Sequence, residues 1–359
     1  MSEPTGQPPP IRTRLTELTG IRYPIVQTGM GFVAGARLAA ATSKAGGLGI
    51  IGSATMTLDA LRTAVNEVKE RTDAPFGVNI RADAPDAAER VELMIAERVT
   101  VASFALAPKR EQIERLKDAG LVVIPSVGAR RHAEKVAAWG VDAVIVQGGE
   151  GGGHTGPIPT SLLIPQVASC VDIPVVAAGG FFDGRGLVAA LAYGAEGIAM
   201  GTRFLLTSDS PVGDAVKQVY LGKSLTDTVV TTRVDGVPHR VLRTPLVDGL
   251  ERSGPLSGLG RAVRNAAAFR GLSGLTWRQM LREGAAMRRG SELTWSQVLM
   301  AANTPMLLKA AMVDGNPDAG VMAAGQVVGM IDDLPSCAEL IDRVMKQAHE
   351  SLARLRDYD

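Results

Sequence analysis

The sequence predicts an α/β fold, a closed (β/α)8 TIM barrel with an inserted helical lid domain, and three observations point there. Short apolar, β-branched runs recur eight times, at 24–27, 48–51, 76–79, 101–104, 122–126, 143–147, 175–178 and 197–201. Their spacing of about 21 to 32 residues is close to one strand-plus-helix unit, and the stretches between them have helical period. Glycine and polar residues gather after the carboxyl ends of the runs, where a barrel keeps its chemistry; the opposite ends carry ordinary turns such as Asp172-Ile-Pro174. An open doubly wound sheet ranks second, because no GxGxxG turn followed by a ribose-binding acid is present.

Taken in order, the chain opens with a polar, proline-rich segment unlike a signal peptide, so residues 1–14 are expected to be a disordered tail. The barrel should occupy 15–210, with helices at 35–45, 58–71 behind a Thr57 N-cap, 86–98, 109–119, 130–139, 161–170 and 184–193. Residues 211–302 read as a helical lid or substrate domain, and 303–359 as a C-terminal return to the barrel. Between positions 240 and 292 there are ten arginines, no lysine and four acidic residues, a local balance of +6. Guanidinium groups bind phosphate bidentately, so this segment suits a phosphate-bearing substrate such as a coenzyme A thioester. A solvated helical face would have the same composition. Trp277, Trp295, Met280, Met287 and Met300, interspersed at helix-compatible spacings, read as lid core.

Composition narrows the function classes. At 359 residues with 46% hydrophobic content and a net charge of +1, the chain can bury a large core, and no bulk charge points to nucleic acid or an anionic membrane. No apolar run approaches the roughly 18 residues that span a bilayer. The two cysteines, Cys170 and Cys337, are isolated, which excludes a disulfide framework or a CxxC site and fits a reducing cytoplasm. His132 and His349 sit in helix-like segments and read as surface residues, and no His/Cys/Asp/Glu cluster has metal-ligand spacing, so no metal is expected. Arg233, Asp235 and His239 form a polar stretch that either faces a cleft or makes a buried polar network.

The chemistry is expected in Gln147-Gly-Gly-Glu-Gly-Gly-Gly-His154-Thr-Gly156, which follows the sixth apolar run. Its glycines let a flat ligand approach the main chain, and His154 is the candidate general base. A glycine-rich surface turn with an incidental histidine is the plainer reading. The seventh and eighth runs end in Ala177-Ala-Gly-Gly-Phe181 and Met200-Gly-Thr-Arg-Phe204. Loops at those two positions of a barrel bind phosphate through backbone amides, which would engage Gly179, Gly180, Gly201 and Thr202; two tight turns would use the same glycines.

Several spaced motifs carry a family resemblance: Gly29-Met30, Lys44-Ala-Gly-Gly-Leu-Gly-Ile-Ile-Gly52, Pro75-Phe-Gly-Val-Asn-Ile80, Glu150-Gly-Gly-Gly-His154, Ala178-Gly-Gly180, Asp183-Gly-Arg-Gly186 and Gly201-Thr-Arg-Phe204. From about 15 to 204, and again near Gly325-Gln326, the chain resembles the nitronate monooxygenase (2-nitropropane dioxygenase-like) family. Its opening is also similar to the flavin-dependent enoyl-acyl-carrier-protein reductases, and the whole resembles an actinobacterial branch associated with steroid-ring degradation. The resemblance implies FMN. It would set Gly29 and Met30 against the isoalloxazine, Asn79 and Gln147 at its polar edge, and Gly179, Gly180, Gly201 and Thr202 around the phosphate. His154 matches the family's catalytic histidine and Gln326 a C-terminal loop that returns to the flavin. Two departures stand out: Thr28-Gly29-Met30 where many members have Ala-Pro-Met, and Gly151 where alanine is common.

The expected activity is therefore an FMN-dependent oxidoreductase that deprotonates a carbon acidified by a carbonyl and passes hydride or electrons to or from the flavin. The favoured substrate is a small molecule, CoA-linked and steroid-derived. Nitronate monooxygenation with oxygen is the alternative within the family; a non-redox phosphate-binding lyase or isomerase, and a flavin carrier without catalysis, are the alternatives outside it. No membrane or nucleic-acid partner is expected, and a homo-oligomer is compatible with the sequence.

Overall fold

Eight parallel strands close on themselves in this computed structural model, which describes residues 7–252 and 303–358. In chain order the strands are β1 (Ile25–Gln27), β2 (Leu48–Gly52), β3 (Phe76–Arg81), β4 (Val101–Ala105), β5 (Val122–Val127) and β6 (Val144–Gln147). After the two-residue β7 (Gly153–His154), which belongs to another sheet, come β8 (Val175–Ala178) and β9 (Gly197–Met200). Closure is made by β1, which pairs with β2 through Val26↔Leu48 and with β9 through Val26↔Ala199. The helices of this part are α1 (Arg14–Thr19), α2 (Ala36–Lys44), α3 (Leu58–Arg71), α4 (Ala87–Ala96), α5 (Arg110–Asp118), α6 (Arg130–Ala138), α7 (Thr160–Ala168), α8 (Gly184–Ala192) and the single turn α9 (Thr202–Leu205). Every barrel strand and helix expected from periodicity lies within two residues of its observed bounds. Thr57 caps α3 by accepting from the Ala60 amide at 3.2 Å.

Burial explains why the runs read as continuous apolar stretches. Barrel strands are covered on both faces, so β2 and β6 are buried along almost their whole length rather than at alternate positions. Val26, Leu48, Ile50, Val101, Ile124, Ile145, Val176 and Ala199 share one core, which α1 completes with the fully buried Leu15. A Cβ on Gly197, which opens β9, would stand 2.8 Å from Leu15 Cδ2. The capping residue of α1 is tied down as well, since Thr13 Oγ1 donates to Glu196 O at 2.7 Å.

The N-terminal segment differs from expectation. Described residues 7–14 are not a loose tail: Tyr23 Oη donates to Pro8 O at 2.9 Å, and His349 Nε2 lies 2.9 Å from Pro9 O. Proline-rich backbone is already extended and loses little entropy on docking, so two such contacts hold it.

The chain divides into two compact units, one comprising Met1–Gly151, Gly156–Pro211 and Met330–Asp359, the other Gly152–Thr155 and Val212–Gly329. The second unit holds α10 (Asp214–Leu221), β10 (Thr228–Thr231), β11 (His239–Leu242), α11 (Pro245–Arg252) and α12 (Asn303–Met312). The segment expected to be a helical lid thus contains two strands, and residues 303–329 group with it rather than with the barrel. Thr228, Val229, Val230 and Thr231 are β-branched and pair antiparallel with Leu242 to His239, a ladder their side chains favour over a helix. The core of this unit is Val234, Val241, Val247, Leu250 and Val321. Residues 253–302, with the arginine-rich stretch beyond 252 and its tryptophans and methionines, lie outside the described residues. The last helix, α13 (Cys337–Arg356), returns to the first unit, where a Cβ on Gly184 of α8 would meet Ala348 N at 2.2 Å.

Candidate functional site

In the first unit, loops at the carboxyl ends of the strands converge on the segment Thr28-Gly29-Met30. Thr28 N donates to Met200 O at 3.2 Å, fastening this segment to the end of β9. A Cβ on Gly29 would lie 2.5 Å from Asn79 Cβ, one on Gly52 would lie 2.6 Å from Met30 N, and one on Gly201 would lie 3.2 Å from Thr28 Oγ1. Glycine at these positions is therefore what allows the ends of β1, β2, β3 and β9 to meet. Asn79 is buried and oriented, with Nδ2 donating to Ser103 Oγ at 3.0 Å. Its own carbonyl accepts from Ser53 Oγ at 2.8 Å, and the buried Arg90 donates to both Ser53 O and Ser53 Oγ. Arg90 is a supporting residue that no motif announced.

The loop after β6 packs tightly on α7. Glu150 Oε2 accepts from Thr160 N at 2.8 Å, and the Thr160 hydroxyl lies between that carboxylate at 2.6 Å and Gly179 O at 3.0 Å. Its single proton goes to the nearer, charged acceptor. Gln147 is half-buried, and a Cβ on Gly151 would stand 2.6 Å from its Nε2. Three helices follow the last strands, and two begin under a side-chain anion: Glu150 at α7, and Asp183 at α8, which accepts from Gly186 N at 3.0 Å. The third, α9, starts at Gly201 and Thr202 with no side-chain cap. Gly179 and Gly180 both have positive φ, at 101° and 83°, in the turn that leaves β8.

In the second unit, β11 pairs antiparallel with both β10 and β7, in a register that sets His239 opposite His154. Asp235 reaches the same place from the turn before β11. Its Oδ2 lies 2.7 Å from His154 Nε2 and 3.7 Å from His239 Nδ1, the first a hydrogen bond and the second an ion-pair distance. The imidazole rings stand 4.6 Å apart, tilted by 40°. Asp235 and His239 side chains are only 6% and 3% exposed, whereas that of His154 is 55% exposed, so the cluster presents one ring outward on a buried base. Burial works to raise the Asp235 pKa, but the two imidazoles outweigh it and hold the carboxyl well below its ordinary value, so it stays charged. Val237 N donates to Oδ1 at 3.2 Å. A Cβ on Gly152 would meet Ala324 C and Gly325 N at 2.5 Å, which brings the segment ending in Gln326 against the loop that carries His154. Gln326 is half-buried and opens a 3-10 turn, Gln326–Met330.

The expectation that no cluster has metal spacing needs correction: donor atoms of His154, Asp235 and His239 lie within 4.8 Å of one another. They are 81 residues apart along the chain at the His154–Asp235 contact, so spacing could not reveal them. Sequence reading singled out Asp235 and His239 as a polar stretch without its partner. Pairing of β11 with the glycine-flanked β7 is what supplies it.

A sequence profile described as nitronate monooxygenase matches residues 12–92 and 87–347, nearly the whole chain. The chain belongs to that family. Two relatives, from Mycobacterium tuberculosis and Rhodococcus jostii, are 68% and 62% identical, each over 94% of this chain and 96% of its own length. Both are described as (3aS,4S,5R,7aS)-5-hydroxy-7a-methyl-1-oxo-octahydro-1H-indene-4-carboxyl-CoA dehydrogenase. The structure is similar to that of FabK from Thermotoga maritima, with 37% identity and a TM-score of 0.82 over 97% of this chain and 100% of that one. As a member of the nitronate monooxygenase family with such relatives, the chain is an oxidoreductase. Among the described residues no helix is long and apolar enough to cross a membrane.

Proposed function

We propose that this protein is an FMN-dependent dehydrogenase of a CoA-linked bicyclic ketone, the compound class for which its 68%-identical relative is named, and that this ketone is steroid-derived. The observation that supports the cofactor is the convergence of the strand ends: Gly29, Gly52 and Gly201 let β1, β2, β3 and β9 close on one another, which gathers Met30 and the buried Asn79 at one mouth of the barrel. Gly29 and Met30 would lie against the isoalloxazine. Asn79, with Nδ2 engaged by Ser103, would offer Oδ1 to the ring's polar edge beside Gln147. Gly179, Gly180, Gly201 and Thr202 would hold the phosphate. The positive φ of Gly179 and Gly180, in the turn that leaves β8, supports this.

When bound, FMN supplies a hydride acceptor. His154 takes the proton from the carbon next to the substrate carbonyl; the hydride leaves the adjacent carbon, and a carbon–carbon double bond forms. Gln326, whose segment packs on the His154 loop, would orient the same substrate. Pure protein should be yellow and release FMN on denaturation; FAD or a colourless preparation would overturn the cofactor assignment. His154→Ala should retain FMN yet slow anaerobic single-turnover reduction by about 10²- to 10⁴-fold, the usual contribution of a positioned base. Rapid reduction by alkyl nitronates, with none by the acyl-CoA, would replace this reading with nitronate oxidation.

A further inference from the structure

The cluster at β7 and β11 holds more than a base. Asp235 is buried and charged, and His154 Nε2 stands at hydrogen-bond distance from its Oδ2, at 2.7 Å. A buried carboxylate must be met by a proton-bearing partner, because leaving it unpaired costs more than the hydrogen bond contributes. Neutral imidazole carries one proton, on either ring nitrogen, and the group bonded at one nitrogen decides which. With a carboxylate at Nε2, the proton stays there and Nδ1 is in acceptor form.

We propose that Asp235 is the positioning residue of His154: it holds the ring in the Nε2–H tautomer, so that Nδ1 is the atom that receives the substrate's proton. This rests on the assignment of His154 as the base. After transfer, the resulting imidazolium faces an anion that is already in place and needs no reorganisation. His239 completes the arrangement from β11. Its buried ring packs against that of His154, limiting rotation, and its Nδ1, which has no hydrogen-bond partner, sits at ion-pair distance from the same carboxylate oxygen. The three side chains could instead be imagined around a metal ion. However, ligand atoms sharing a tetrahedral zinc stand roughly 3.3 Å apart, given bonds of about 2.0–2.1 Å, and the His154–Asp235 separation of 2.7 Å is that of a direct hydrogen bond.

The test uses the full-length flavoprotein labelled with ¹⁵N-histidine. Wild type should show His154 protonated at Nε2, assigned by its loss in His154→Ala, and Asp235→Asn should move the population toward Nδ1–H. In the same variant, anaerobic reduction by the relative's acyl-CoA should fall by about 10²- to 10⁴-fold, as when a base is held in the wrong tautomer. Placed in the His154→Ala background, Asp235→Asn should cost nothing further. An Nδ1–H tautomer in wild type, with His154→Ala still slow, overturns this proposal and leaves the base assignment standing. Wild-type reduction rates in His154→Ala overturn the base assignment itself. Stoichiometric metal in protein purified without added metal overturns the proposal in favour of a metal centre.

Discussion

Gly151 illustrates how much a single absent methyl can decide. It stands where the family resemblance implies alanine, and a Cβ there would meet the Gln147 side chain, at 2.6 Å from Nε2 and 2.7 Å from Cδ. Gly151→Ala should therefore displace the flexible end of Gln147 and leave the backbone in place. Loss of one hydrogen bond worth about 1 to 1.5 kcal/mol should weaken FMN binding by roughly tenfold, measured by titrating apoprotein, with little change in melting temperature. An unchanged Kd would show that Gln147 does not hold the flavin. The substitution itself was visible in the sequence; its consequence was not, because two residues four apart in an aperiodic loop carry no signal of contact. Asp235 was legible only as a polar residue for a similar reason, its partner being far along the chain. Its charge gives a second prediction. The folded pKa lies below the ordinary carboxyl value of 3.8, so the stability it contributes is fully present above about 3.8 and is lost as pH falls below that toward the folded value. Wild type should accordingly exceed Asp235→Asn in melting temperature by a margin that shrinks as pH falls below about 4.

At the scale of elements, what repeats was legible and what occurs once was not. Leu58 to Arg71 of α3 follow a capping threonine with helical spacing, and the eight barrel strands are apolar runs bounded by turns, so local chemistry alone located them. The pairing of β7 with β11 left no such trace. Gly153 and His154 are too short a run to show alternation, and glycine disfavours strands. A helical reading of residues 228–231 failed on the same ground, since their β-branched character matters only once β11 is beside them. The loop ahead of β7 depends on α7 in turn. Glu150 stands in for the missing N-cap side chain of α7, accepting from Thr160 N. Glu150→Ala should cost about 1 kcal/mol, as loss of an N-cap does, seen as a lowered denaturant midpoint at unchanged slope. FMN affinity should fall with it, because Thr160 also contacts Gly179 O. A stability loss with unaltered FMN binding would separate the clamp from the turn proposed to hold the phosphate.

For the whole molecule, the division of labour follows from which part each chemistry needs. In the proposed reading the closed barrel would supply rigid strand ends for the cofactor, and the second unit would supply the charged cluster of His154, Asp235 and His239. The barrel was legible because its repeat is written eight times; the unit boundary at Gly329 was not, because the helix at 303–312 and the irregular stretch after it carry no repeat that would assign them to either unit. Recognition of the CoA moiety is a separate demand, for which the sequence offers its arginines. Between 261 and 289 there are seven, with Glu283 as the one acidic residue. If this segment binds the nucleotide phosphates, paired changes such as Arg261→Ala with Arg264→Ala should raise KM for the acyl-CoA and leave kcat nearly constant, the pattern of lost uniform binding. The same variants should act on a pantetheine thioester of the same acyl group as wild type does, because that substrate lacks the phosphates the guanidinium groups would hold. Raising ionic strength should reproduce the defect in wild type, with KM for the CoA ester climbing while that for the truncated ester stays level. Equal KM changes for both esters would assign these arginines to folding or to the acyl group, and the phosphates would then need another site.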